Sequence, residues 1–323
     1  MLSVARGALQ EEVSREMTGL VPFGPREFVV LDAPFNLGLL PPKTGVEPGV
    51  RFLARALRQR DLVQRLNARD LGVVPAPAYE LVPDAGTGVW NGPKIRGYAI
   101  ALADRVEVEL RAGRFPVVFG GDCSILVGNA LAAKRIGRYG LLFLDGHDDF
   151  SAAVGVTMRG AAGQDLALVT GNGPPGLCDI EGLSPYFAEQ DVVAFGFQHN
   201  EPEGEYDRSR FNATVIKKIG ASTIEKDGLE YSVIEALDHF DQSGVDRVWI
   251  HLDADVVRSA EMPAVDSPEP NGLSMAELTT VLRMFMKSGL PVGIEITIFD
   301  PDLDPSGDVA TRFASCILEG IQL

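Results

Sequence analysis

Residues 141–150 read LLFLDGHDDF, four apolar residues followed at once by Asp145, Gly146, His147, Asp148 and Asp149. A short continuous apolar run fits a strand buried on both faces of a parallel sheet, and the polar cluster then falls at its C-terminal end. Two other stretches repeat the arrangement: PVVFGGDCS at 116–124 and VWIHLDAD at 248–255. Further apolar runs of strand length lie at Phe28 to Leu31, Val192 to Phe195 and Val292 to Ile296. The segments 49–60, 94–110, 124–136, 228–240, 274–287 and 308–321 carry apolar residues at helical spacing. Such alternation predicts an α/β domain with helices on both faces of a mainly parallel sheet. In open sheets of this kind ligands bind beyond the C-terminal strand ends, which is where the three polar clusters fall.

Spacing sharpens this. Asp145, His147 and Asp149 stand at i, i+2 and i+4, and Asp253 and Asp255 at i and i+2, so extended backbone points each set to one side. Four carboxylates and an imidazole then converge, at a cost of about several kcal/mol unless compensated. Divalent metal ions are the simplest compensation, and a carboxylate-rich site with an imidazole suits harder ions such as Mn²⁺. Two ions sharing carboxylates can hold a bridging hydroxide, a strong nucleophile at neutral pH.

Composition narrows the classes. The 323 residues carry 29 Lys and Arg against 45 Asp and Glu, a formal net charge of −16, which disfavours nucleic acid and anionic membranes as partners. No apolar run approaches the length of a membrane span. Three widely spaced cysteines, Cys123, Cys178 and Cys316, form no C-x-x-C pair and read as reduced cytoplasmic thiols. Residues 1–26 lack the continuous apolar stretch of a signal peptide and read as an N-terminal extension packing on the surface or on a neighbouring subunit. Residues 27–323 read as a single domain. Its long Gly- and Pro-rich loops, 37–49, 75–91, 171–185 and 260–272, mark no change in composition.

GGDCS, LDGHDDF and HLDAD, in this order, resemble the three metal-binding signatures of the arginase family, the ureohydrolases that include agmatinase. Val29 to Phe35 with Gly45-Val46-Glu47-Pro48-Gly49 resembles the family's opening strand and its entry into the first helix, and Gly293-Ile294-Glu295-Ile296 its late strand. The resemblance implies a three-layer α/β/α domain with two divalent ions, manganese foremost. It also implies that a bridging hydroxide attacks the carbon of a small guanidino or amidine substrate and releases urea. By motif, Asp145 and Asp253 bridge both ions, Asp149 binds the first, His147 and Asp255 bind the second, and Glu295 pairs with the substrate cation. A homo-oligomer, trimer or hexamer, is implied as well.

Three departures qualify the implied activity. Cys123 stands where the family has a histidine ligand of the first ion. A sulfur ligand suits Fe, Ni or Zn better than manganese. Ala162 stands where arginases carry a proton-transferring histidine, in Gly160-Ala161-Ala162-Gly163-Gln164-Asp165. After Asp255 the run Val256-Val257-Arg258 replaces an Asp-Pro pair. Glu201 and Glu205 lie near the positions that hold the substrate α-amino group in arginases. Two other functions stay open: hydrolysis of a formimidoyl or other linear C–N substrate, and a catalytically weak relative that binds metal and ligand and regulates a partner. His199 and His239 carry no motif role. His251 shares the face of Asp253 by period two and is read as a core residue. Asp122 and Ser124 are expected to orient their loop.

Overall fold

All six apolar runs become strands. The computed structural model describes residues 26–150, 152–153, 158–199 and 206–323, so the expected extension lies outside the described residues except for Arg26. In chain order the main sheet contains β1 (Phe28–Asp32), β2 (Arg69–Val73), β3 (Phe115–Phe119), β4 (Gly140–Leu144), β5 (Val192–Phe195), β6 (Lys217–Ile219), β7 (Val248–Asp253) and β8 (Pro291–Thr297). They lie in the order β6-β5-β4-β7-β8-β3-β1-β2, with every neighbouring pair parallel. The two edge strands were not legible as apolar runs. β2 is RDLGV and mostly exposed, and β6 is three residues long.

The longer helices are α1 (Gly92–Arg111), α2 (Leu126–Ile136), α3 (Leu229–Ser243), α4 (Met275–Ser288) and α5 (Asp308–Ile321). Alternation along the central strands feeds two cores. Val117, Leu142, Leu144, Ile250, Leu252, Ile294 and Ile296 pack under α3, α4 and α5. Val118, Leu141, Phe143 and Trp249 pack under α1 and α2. Helices on both faces of a parallel sheet give the three-layer α/β/α architecture. The helix ends are written locally. Ser274 and Glu277 form a capping box at the start of α4, and Gly289 at φ +81° ends it. No helix among the described residues is long and apolar enough to cross a membrane.

Gly97 sits exposed within α1, and a methyl group there meets no heavy atom within 4 Å. Gly97→Ala should therefore raise the unfolding free energy by about 0.5–1 kcal/mol through lost chain entropy alone. Denaturant melts check this, and a destabilised variant would contradict it.

Candidate metal centre

The sheet order places β4, β7, β8 and β3 side by side, so the polar segments that follow three of the apolar runs emerge together. Each central carboxylate spends one oxygen on backbone. Asp145 Oδ1 accepts the His147 N–H at 2.6 Å, Asp253 Oδ1 accepts the Asp255 N–H at 2.8 Å, and Asp255 Oδ1 accepts the Gly146 N–H at 2.9 Å. The other oxygens face inward. Asp253 Oδ2 lies 2.7 Å from Cys123 Sγ, Asp255 Oδ2 lies 3.0 Å from His147 Nδ1, and Asp145 Oδ2 has no partner. Asp122, fully buried, accepts from the Gly38 N–H at 2.7 Å and the Ser124 N–H at 2.9 Å, and so fixes the turn that carries Cys123.

The donors gather in three overlapping groups, each with its ligand atoms within 4.8 Å of one another: Cys123, Asp145, His251 and Asp253; Cys123, Asp149 and Asp165; Asp145, His147 and Asp255. The convergence does not come from strand alternation through 145–149. β4 ends at Leu144, and Asp149 has φ +40°, so the chain turns and carries Asp149 toward Cys123 and Asp165. Carboxylates, imidazoles and a thiol, with inward-facing atoms of Asp145, Asp165 and His251 left without hydrogen bonds, fit divalent cations.

The electrostatics agree. Burial raises Asp149, Asp165 and Asp253 well above the ordinary carboxylate range, and the neighbouring carboxylates add to it. Burial also raises Asp145, but His147 and His251 more than reverse this and hold it low. Burial opposes charge on both imidazoles, and the carboxylates overcome it: His147 rises strongly, and His251 is drawn up to about 9 by Asp145 and Glu295. The Cys123 thiol is pushed far up by burial and then by Asp253, Asp165, Asp145 and Asp149. So much uncompensated negative charge in one buried cluster is a signature of a functional site.

A cavity of about 350 Å³ opens onto this cluster, lined by Cys123, His147, Asp149, Asp253 and Asp255 together with Leu39, Ala162, Gln198, His199, Arg208, Asp266, Glu269 and Ile298. Glu295, expected against the substrate, is absent from the lining. It is fully buried, with Oε1 2.7 Å from His251 Nδ1 and Oε2 held by the Asn129 side-chain amide. The physical reason is register: Glu295 pairs with His251 in the middle of the sheet, below the strand ends, and the first β8-side residue on the cavity is Ile298. His251 is a core residue by burial and a site residue by contact, and period two along β7 was the signal for it. Asp165 gave no signal; it is the first residue of the short helix Asp165–Val169, which tertiary packing sets against the cluster. His199 lines the cavity with Nε2 2.8 Å from Asp148 Oδ2, and Glu269 Oε1 lies 3.3 Å from His147 Nε2. Glu201 and Glu205 lie outside the described residues.

The chain is similar to known proteins over nearly its whole length. The model of the arginase family matches residues 26–321. An arginase of Staphylococcus aureus is 27% identical over 296 residues, covering 89% of this chain and 94% of that protein. The arginase of Bacillus caldovelox superposes with a TM-score of 0.82 at 24% identity, covering 93% of this chain and 99% of the other. A formimidoylglutamase of Bacillus subtilis superposes with a TM-score of 0.70 at 17% identity, covering 94% and 88%. With the family model matching residues 26–321, this chain belongs to the arginase family.

Proposed function

We propose that this protein is a metal-dependent hydrolase of a guanidino or amidine C–N bond, releasing urea or an analogue. The observation that carries the reading is the convergence of three ligand groups on one cavity in a chain of this family. Asp145, His147, Asp149, Asp253 and Asp255 would hold the ions, with Cys123 beside them. When bound, two divalent ions would supply a nucleophilic hydroxide at neutral pH and polarise the carbon under attack.

The chain's own residues supply the rest. Asp266 and Glu269 line the cavity and offer a negative wall to a guanidinium, the task first assigned to Glu295. Ala162 leaves no proton carrier at its position. His199, steadied by Asp148, stands on the cavity lining and takes that task, delivering a proton to the departing amine. Arg208, on the same lining, suits a substrate with a carboxylate at its far end. The reading takes manganese as the resident ion, with Fe, Ni or Zn admitted by Cys123. It takes a homo-oligomer as the assembly and the cytoplasm as the compartment, supported for the last by three free, buried cysteines.

A panel of arginine, agmatine, guanidinobutyrate, hydroxyarginine and a formimidoyl amino acid, with each metal added, tests it by product. Urea or hydroxyurea is expected from one of the guanidines, and His199→Ala should lower kcat for that substrate by about 10²–10⁴. Formamide alone would move the chemistry to formimidoyl substrates, and no turnover with any metal would sink it.

A further inference from the structure

Two buried groups that face the carboxylate cluster carry no ligand role in the three signatures: His251, which opens HLDAD, and Asp165, which lies outside all three. His251 Nε2 and Asp165 Oδ2 lie 3.7 Å apart, both side chains are fully buried, and neither atom has a hydrogen-bond partner. Asp145 Oδ2, likewise without a partner, is 3.8 Å from the same ring nitrogen. These separations are too long for hydrogen bonds. Buried polar atoms are rarely left without a partner, so a ring nitrogen that faces two such oxygens, each too far for a hydrogen bond, points to a missing partner between them. Spacings of this size suit ligand atoms that each sit about 2.0–2.2 Å from one shared ion.

The far side of the imidazole supports the same conclusion. His251 Nδ1 lies 2.7 Å from Glu295 Oε1. A carboxylate accepts, so the ring donates there and presents Nε2 to the cluster. Asn129 holds the other oxygen of Glu295, and Phe143 stacks on the ring with centroids 4.7 Å apart and planes 10° from parallel. A histidine that binds a metal through one nitrogen commonly donates from the other to a carboxylate, which fixes its tautomer and direction. The cluster has a place for such a ligand, because Cys123 Sγ and the inward atoms of Asp145, Asp253 and His251 lie within 4.8 Å of one another, as do those of Cys123, Asp149 and Asp165.

We propose that His251 and Asp165 are ligands of the ion beside Cys123, and that Glu295 is a positioning residue for His251. The imidazole lost at position 123 is thereby returned from β7, and an added carboxylate joins it. The proposal rests on the metal-centre reading above.

The test is made on the holoprotein loaded with manganese, by metal analysis after dialysis and by counting imidazole nitrogens coupled to manganese in electron spin echo spectra. Two ions per chain and two coupled imidazoles are expected, a result that needs no variant. His251→Gln should lose one ion and one imidazole while the ion held by His147 stays. His147→Gln should leave the His251 signal in place. Glu295→Gln should weaken the first ion by about 10–100-fold. Two ions with an imidazole signal untouched by His251→Gln would overturn the proposal. So would a single ion coupled to His147 alone, which would make His251 a cationic stand-in for the first metal. No bound ion at all would overturn both this proposal and the reading beneath it.

Discussion

Removing divalent ions with a chelator should abolish C–N hydrolysis and lower the melting temperature by roughly 8–10 °C, and returning the ions should restore both. The stability loss follows from what is buried. Asp145, Asp253 and Asp255 are 1–3% exposed and Asp165 is fully buried, and with the ions removed the imidazoles of His147 and His251, whose protonation these carboxylates favour, offset only part of that charge. An ion that binds only the folded state at about 100 times its dissociation constant adds about 2.7 kcal/mol, so two ions add about 5 kcal/mol. For a chain of this length each kcal/mol is worth roughly 1.5–2 °C. The activity loss is larger, because the ions supply several kcal/mol of charge stabilisation, about 10³-fold or more in rate. Calorimetry on stripped and reloaded protein makes the measurement. A melting temperature that stays within 1 °C after complete stripping would show that the cluster is stable without ions.

Asp253→Asn separates the two contributions. Asp253 Oδ1 still has the Asp255 N–H to accept, while the inward atom beside Cys123 loses its charge. The variant should therefore keep its fold and lose metal affinity.

The fold was legible because parallel strands buried on both faces must be written as apolar runs, and six such runs stand out. The edge strands were not, since an edge strand such as Arg69–Val73 needs no apolar face and is written RDLGV. In the site, Asp145, His147, Asp253 and Asp255 were legible from the polar segments that follow the apolar runs, although the strands end at Leu144 and Asp253 and the alternation does not continue through those segments. Asp149 was legible too, although the turn at φ +40° brings it in and not strand alternation. Glu295 was misplaced for a related reason. It follows an apolar pattern that reads as a strand end, but β8 runs on to Thr297 and leaves it two residues inside the sheet. His251 shows the converse. Its parity with Asp253 was visible, yet only the register beside Glu295 and Phe143 reveals that its ring faces polar partners. Asp165, at the head of the short helix Asp165–Val169, and Glu269, in the loop 260–272, reach the cluster through tertiary packing, which no local pattern encodes.

Gly121→Ala should be the most damaging single-methyl substitution near the site. A Cβ at Gly121 would lie 1.8 Å from the Phe35 carbonyl oxygen and 2.8 Å from two further backbone atoms of Phe35. Backbone cannot move aside as a flexible side chain does, so the turn itself must shift. That turn is tied on both sides: Phe35 accepts the Asp122 N–H at 2.8 Å, and Gly121 accepts the Ile298 N–H at 2.8 Å. Losing two buried backbone hydrogen bonds costs about 1–3 kcal/mol each, and overpacking adds to it, so a total of about 3 kcal/mol or more is expected. The same shift displaces Cys123, which hangs on this turn opposite Asp253, so metal affinity should fall with stability. Gly163→Ala is the matched control. It also borders the cavity, but a methyl there meets no heavy atom within 4 Å, and the melting point should change by less than the equivalent of about 0.5 kcal/mol. If Gly121→Ala melted with its control and kept its metal, the close approach of the turn to Phe35 would not be what holds the site in place.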